Sequence, residues 1–111
     1  MKIFYYVDHR GNNPVKEFLR SLNVKEMAKC YSYIDLLREH GNSLSSQYIE
    51  RDGDLYQLRP EFGNVEFRIF YFTLHEGEIY LLHAFKKKSN KTPSSEKQIA
   101  QERMSEIKKE K

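Results

Sequence analysis

The chain has 111 residues, 39% of them hydrophobic and 32% charged, which leaves room for one domain around a modest core and excludes two independent ones. No run approaches the roughly 18 apolar residues of a membrane helix, and the start MKIFYYVDHR lacks a basic segment leading into a long apolar stretch, so a soluble cytoplasmic protein without membrane association is expected. Net charge is +3, but residues 1–85 carry 10 basic and 12 acidic side chains whereas residues 86–111 carry 9 and 4, so the positive excess is local.

Ile3 to Val7 reads as an opening strand, rich in aromatic and β-branched residues, which stops at the polar loop Asp8 to Asn13. Asn13 followed by Pro14 predicts an N-cap with proline in the first helical turn, and Val15, Phe18, Leu19 and Leu22 then mark one apolar side. Asn23 predicts a second cap; Val24, Met27, Ala28, Tyr31, Ile34 and Leu37 keep helical spacing until Gly41 ends the helix. The expectation is a helical hairpin with one buried side, in which Cys30 and Tyr31 pack.

Beyond residues 40–46 the period changes to 2. Tyr48-Ile49-Glu50 predicts a short edge segment, and Asp52-Gly53 turns the chain into Leu55 to Arg59. Pro60 to Asn64 is the next expected turn, leading into Val65 to Leu74, and His75 to Gly77 reverses it into Glu78 to Lys86. Eight of the fifteen aromatic residues lie between Tyr56 and Phe85, so this meander holds much of the core. Thr92-Pro93 predicts a third cap and a last helix with the sparse stripe Ile99, Ala100, Met104 and Ile107, expected to fray over Lys108 to Lys111. The fold class is therefore α+β in the order β-α-α-β-β-β-α: an antiparallel meander on an N-terminal helical hairpin, with a C-terminal helix.

Pairing the strands tightly across the two turns sets Arg59 opposite Val65, Tyr56 opposite Arg68, and Glu66 opposite Lys86, with Asn64 near Lys88. Alternation then predicts Arg68, Lys86 and Lys88 on one face beside Glu66, Tyr56 and Leu58, with Arg59 and Lys87 on the other. Val65, Phe67, Ile69, Leu81 and Phe85 are expected against the N-terminal helices, placing His83 in that core. The C-terminal helix would cover Phe70, Phe72 and Leu82. An arginine flanked by Phe67 and Ile69 in a central strand must meet an acid, a backbone acceptor, water or a ligand, and Glu66 is the nearest acid. Cys30 is the only cysteine and no two histidines stand at HxxxH or HExxH spacing, so neither a disulfide, a metal nor a cofactor is expected.

The chain resembles the HigB-like, phage Gp49-like toxins of the RelE/ParE superfamily. The resemblance rests on Asn13-Pro-Val-Lys-Glu-Phe-Leu, Gly53-Asp-Leu-Tyr-Gln-Leu-Arg59, Phe67-Arg-Ile-Phe-Tyr-Phe72 and, most distinctively, Leu81-Leu-His-Ala-Phe-Lys-Lys-Lys-Ser-Asn-Lys-Thr-Pro93 before a helix. Gln57 and Ser89 depart from the glutamate and threonine usual there. The resemblance implies one toxin domain over residues 1–111 and a type II toxin-antitoxin system. A HigA-like helix-turn-helix antitoxin would hold the toxin inactive and carry the complex to operator DNA. It also implies metal-independent mRNA cleavage on the ribosome, with translation arrest. On that reading Arg68 would clamp the scissile phosphate while Lys86 and Lys88 stabilise the pentacovalent state. Arg59, Lys87 and Lys91 would hold flanking phosphates and Tyr56 would stack on a base. The alternatives are a ParE-like inhibitor of DNA gyrase and a non-catalytic RNA-binding module.

Overall fold

In the computed structural model, which describes residues 1–88 and 91–111, the chain begins with β1 (Lys2–Tyr5) and turns at Asp8, whose carboxylate accepts the backbone N–H groups of Arg10 and Asn12. α1 (Pro14–Arg20) opens on Asn13, whose side chain accepts from the Lys16 N–H. α2 (Val24–His40) opens on a capping box in which Asn23 accepts from the Glu26 N–H and Glu26 from the Asn23 N–H. Gly41 closes it at φ +58°, a left-handed conformation open to glycine, with the Met1 thioether packed where a Cβ would project. A 3₁₀ turn at Gly41–Ser43 then leads to the sheet.

Five further strands follow: β2 (Ile49–Asp52), β3 (Leu55–Leu58), β4 (Glu61–Phe62), β5 (Val65–Thr73) and β6 (Glu78–Lys87); α3 (Ser94–Glu110) ends the domain. The sheet order is β1-β6-β5-β3-β2, with β4 also pairing β5. All pairings are antiparallel except β1 with β6, which run parallel, so the sheet is a meander extended by the first strand rather than a pure antiparallel meander. The helices α1 and α2 are not an N-terminal hairpin docked as a unit. α1 lies on β6 while α2 reaches β4, each spreading its own apolar side on the sheet.

The sheet separates two cores. On the face of α1 and α2, Val15, Leu19, Cys30, Ile34 and Leu37 meet Phe67, Ile69, Tyr71 and Leu81. On the other, Ala100, Met104 and Ile107 of α3 meet Phe70, Phe72, Leu82 and Phe85. The narrow stripe of α3 is supplemented by ion pairs to the β2–β3 turn, from Lys97 to Asp52 and from Lys108 to Asp54. The helix accordingly runs to Glu110 instead of fraying at Lys108. Thr92 is not its cap: Pro93 occupies that position, and the Thr92 hydroxyl donates to Gln57 Oε1 at 3.2 Å. Among the described residues no helix is long and apolar enough to cross a membrane.

Two register differences reposition the polar residues. Gly63 and Asn64 form a two-residue turn that pairs Phe62 with Val65, so Tyr56 faces Tyr71 rather than Arg68, a shift of three. An odd shift exchanges faces, which puts Tyr56 and Leu58 against α2. In β6 an extra residue, Leu82, bulges between the Phe70–His83 and Tyr71–Leu81 pairs. Past it every side chain inverts, so His83 and Phe85 face α3 and not α1.

Cys30 is fully buried and its thiol is pushed up to about 12, mainly by desolvation. Thiolate is the reactive species. The native protein is therefore expected to resist a chromogenic disulfide reagent at pH 8 over a period in which the urea-unfolded chain reacts fully.

Candidate functional site

β5 is paired on both sides, and alternation directs Glu66, Arg68 and Phe70 to the α3 face. Arg68 is the largest fully buried side chain, 1% exposed. Its Nη1 donates to the Phe67 carbonyl at 2.8 Å and its Nη2 to Glu66 Oε1 at 3.0 Å. Its Nε is buried and finds no acceptor among the described residues. The guanidinium is thus closed over by its own strand and by Glu66, which is itself 43% exposed at the sheet end.

Glu66 gathers the cations. The hydrogen bond from Arg68 holds its carboxyl below the usual 4.5, against an opposing desolvation cost, and the charges of Arg68, Lys87 and Arg59 lower it further. Lys87 is the cross-strand partner of Glu66. Arg59 donates from Nη1 to the Ser46 carbonyl at 2.9 Å, and its buried Nε likewise finds no acceptor among the described residues. One carboxylate among three cations leaves a net positive end to this face.

The depressed carboxyl makes the pair's stability pH-dependent in one direction. Glu66 contributes above the acid range of an unfolded glutamate, and the contribution disappears as pH falls through its lower folded value. Urea midpoints of wild type and Glu66→Gln should therefore differ by a constant amount from pH 7 to about pH 5 and draw together progressively as pH falls further.

Of the seven cationic and aromatic residues singled out in the sequence, Arg59, Arg68 and Lys87 converge on Glu66. Lys91 lines the adjoining groove. Lys86 does not share the Arg68 face: it stands opposite Phe67, and Arg68 stands opposite Phe85. Lys88 is exposed one residue beyond β6, outside the Arg68 row. The expected division of the lysine run is inverted, because the pairing past the bulge is offset by one residue from a plain hairpin. Tyr56 is also elsewhere, stacked on Tyr71 at 5.2 Å with the Arg51 guanidinium 5.5 Å from its ring. Ser89 and Asn90, within the basic stretch, lie outside the described residues.

The groove, of about 430 Å³, runs between Glu50, Asp52 and Gln57 of β2 and β3 and the loop and first turn of α3, where Lys91, Thr92, Ser94 and Lys97 stand, with Lys87 at its end. Sequence reasoning missed Glu50, Gln57, Thr92 and Lys97; the turn dipeptide Gly63-Asn64, read as a two-residue hairpin connection, would have brought Gln57 to this face. The clefts beside Val7 have the wrong sign for a polyanion, since Asp8, Glu106 and Glu110 outnumber the lysine there.

His83, expected in the α1 core, instead holds the first turn of α3. Arg103 Nη1 lies 3.2 Å from Nδ1 and Glu96 Oε1 2.9 Å from Nε2. Because arginine has no acceptor, Nδ1 must accept, and the ring donates from Nε2 to Glu96. Among the described residues no three His, Cys, Asp or Glu side chains are grouped to hold a metal ion.

Residues 17–105 match the family described as phage-derived protein Gp49-like (DUF891). No curated protein matches the chain.

Proposed function

Since the chain belongs to the Gp49-like family of phage-derived proteins, a RelE/HigB-like toxin family, we propose that it is a toxin that cleaves mRNA on the ribosome, and that a helix-turn-helix antitoxin neutralises it and carries the complex to operator DNA. The observation that carries this reading is an ionised carboxylate, Glu66, held by a buried arginine among Arg59 and Lys87, the last of which also lines a groove with Lys91 and Lys97.

That set suits cleavage by the ribose itself. The 2′-hydroxyl gives its proton to Glu66 and its oxygen bonds to phosphorus; the P–O5′ bond breaks, leaving a 2′,3′-cyclic phosphate and a 5′-hydroxyl that takes a proton from an ammonium group or water. Glu66 is ionised at neutral pH and therefore able to accept. The Lys87 ammonium stabilises the dianionic phosphorane, for which one well-placed donor contributes about 3 kcal/mol. Arg68 is too enclosed to clamp a phosphate in the free protein; it fixes the carboxylate and is a positioning residue. Lys86, Lys88, Lys91 and Arg59 hold flanking phosphates, and Tyr56 is assigned no base.

The test is induction in a bacterium with transcript ends mapped at nucleotide resolution beside a supercoiling assay. Cuts in phase with the reading frame support the proposal. Intact transcripts with lost supercoiling would select gyrase inhibition instead, and RNA binding without product would select a passive module.

A further inference from the structure

The groove beside Glu66 carries two side chains that phosphate binding does not require. Gln57 is 6% exposed, one of two buried polar or charged residues among those described, and its Oε1 already accepts from the Thr92 hydroxyl. With the oxygen engaged, the amide presents Nε2, a donor, to the groove. Glu50 is its cross-strand partner on the same face, which places the two Cβ atoms about 5 Å apart. Asp52 is neutralised by Lys97, but Glu50 forms no ion pair among the described residues.

A free carboxylate repels a phosphate chain, so beside Lys87, Lys91 and Lys97 it is misplaced unless it meets donors on the bound strand. Nucleobase edges supply them. A carboxylate with two oxygens is best matched by two adjacent N–H groups, and the neighbouring amide N–H by an adjacent carbonyl. Among the four RNA bases only guanine offers that row: the N2 amino group and N1–H beside O6. Cytosine and adenine each offer one amino donor next to acceptors, and uracil a single N–H between two carbonyls.

We propose that the groove reads a guanine next to the cut, with Glu50 accepting from N1–H and the N2 amino group and Gln57 donating to O6. The inference rests on the RNA-directed reading above and adds base selectivity to it. Thr92 is then a positioning residue that fixes the amide.

The experiment measures binding of the whole protein to uncleavable 2′-O-methyl pentauridine oligomers carrying guanosine, inosine, adenosine or cytidine at the central position. The guanosine oligomer should bind about tenfold or more tighter than the adenosine and cytidine ones. Inosine, which keeps N1–H and O6 but lacks the amino group, should fall between. In Glu50→Gln the ratio of guanosine to adenosine affinity should drop to within twofold. Equal binding of all four oligomers, or a guanosine preference that survives Glu50→Gln, overturns base reading. Absence of binding also overturns it. Transcript mapping separates the two proposals: in-phase cuts with no guanine enriched beside them leave the nuclease standing without this recognition, and uncut transcripts remove the nuclease.

Discussion

Replacing Glu66 by glutamine should lower transcript cleavage by about 10²- to 10⁴-fold, the range for loss of a general base, while the protein stays folded. The amide oxygen can still accept from Arg68 Nη2, so the guanidinium, which is 1% exposed, is not stranded. RNA affinity should hold or rise, because a negative charge leaves a cluster that contains Arg59, Arg68 and Lys87. That combination separates chemistry from binding: a folded variant that binds RNA and cuts at the wild-type rate would remove Glu66 from the reaction. The measurement is a single-turnover cleavage assay on programmed ribosomes beside a salt titration of binding.

Arg68→Ala should have the largest effect on stability, about 3 to 5 kcal/mol in a urea titration. It empties the volume of the largest fully buried side chain in the middle of β5 and frees Glu66 from its hydrogen bond. An exposed phosphate clamp would tolerate alanine; this residue is built into the sheet. Arg68→Met distinguishes the two roles. It keeps most of the volume, dispenses with a buried charge whose Nε has no acceptor among the described residues, and should fold with little loss or a gain. Its cleavage should nevertheless fall about 10²-fold, since the carboxylate is no longer held in place. A methionine variant as active as wild type would show that Arg68 serves the fold alone.

The helices were legible because their signals are local: Asn13-Pro14, Asn23 with Glu26, and Gly41 each carry a chemical reason to start or stop where they do. The central strands were legible from their apolar content, and the pairing of Arg68 with Glu66 from the cost of burying an unpaired guanidinium. What composition does not record is registration. A strand pair slipped by one residue has the same sequence and opposite faces, and the bulge at Leu82 lies in an unbroken apolar run, Tyr80-Leu81-Leu82, with no glycine or proline to mark it. The parallel docking of β1 on β6 is likewise a long-range event with no local sign. Thr92-Pro93 looked like a cap because the motif is sound in isolation; the competing acceptor, Gln57, stands 35 residues away in the chain.

The single surplus residue in β6 acts as a parity bit. Lys86, Lys87 and Lys88 are chemically identical, and only an odd or even count from the bulge decides that the middle one meets Glu66. Deleting Leu82 would remove the surplus and leave the pairs from Phe70–His83 to Glu66–Lys87 in plain register, so Lys87 would still meet Glu66, whereas a straight strand that kept all its residues would bring Lys86 onto the carboxylate. In related chains whose strand has the same length, the presence or absence of the bulge is thus the feature to inspect first when homologous positions disagree about which lysine matters.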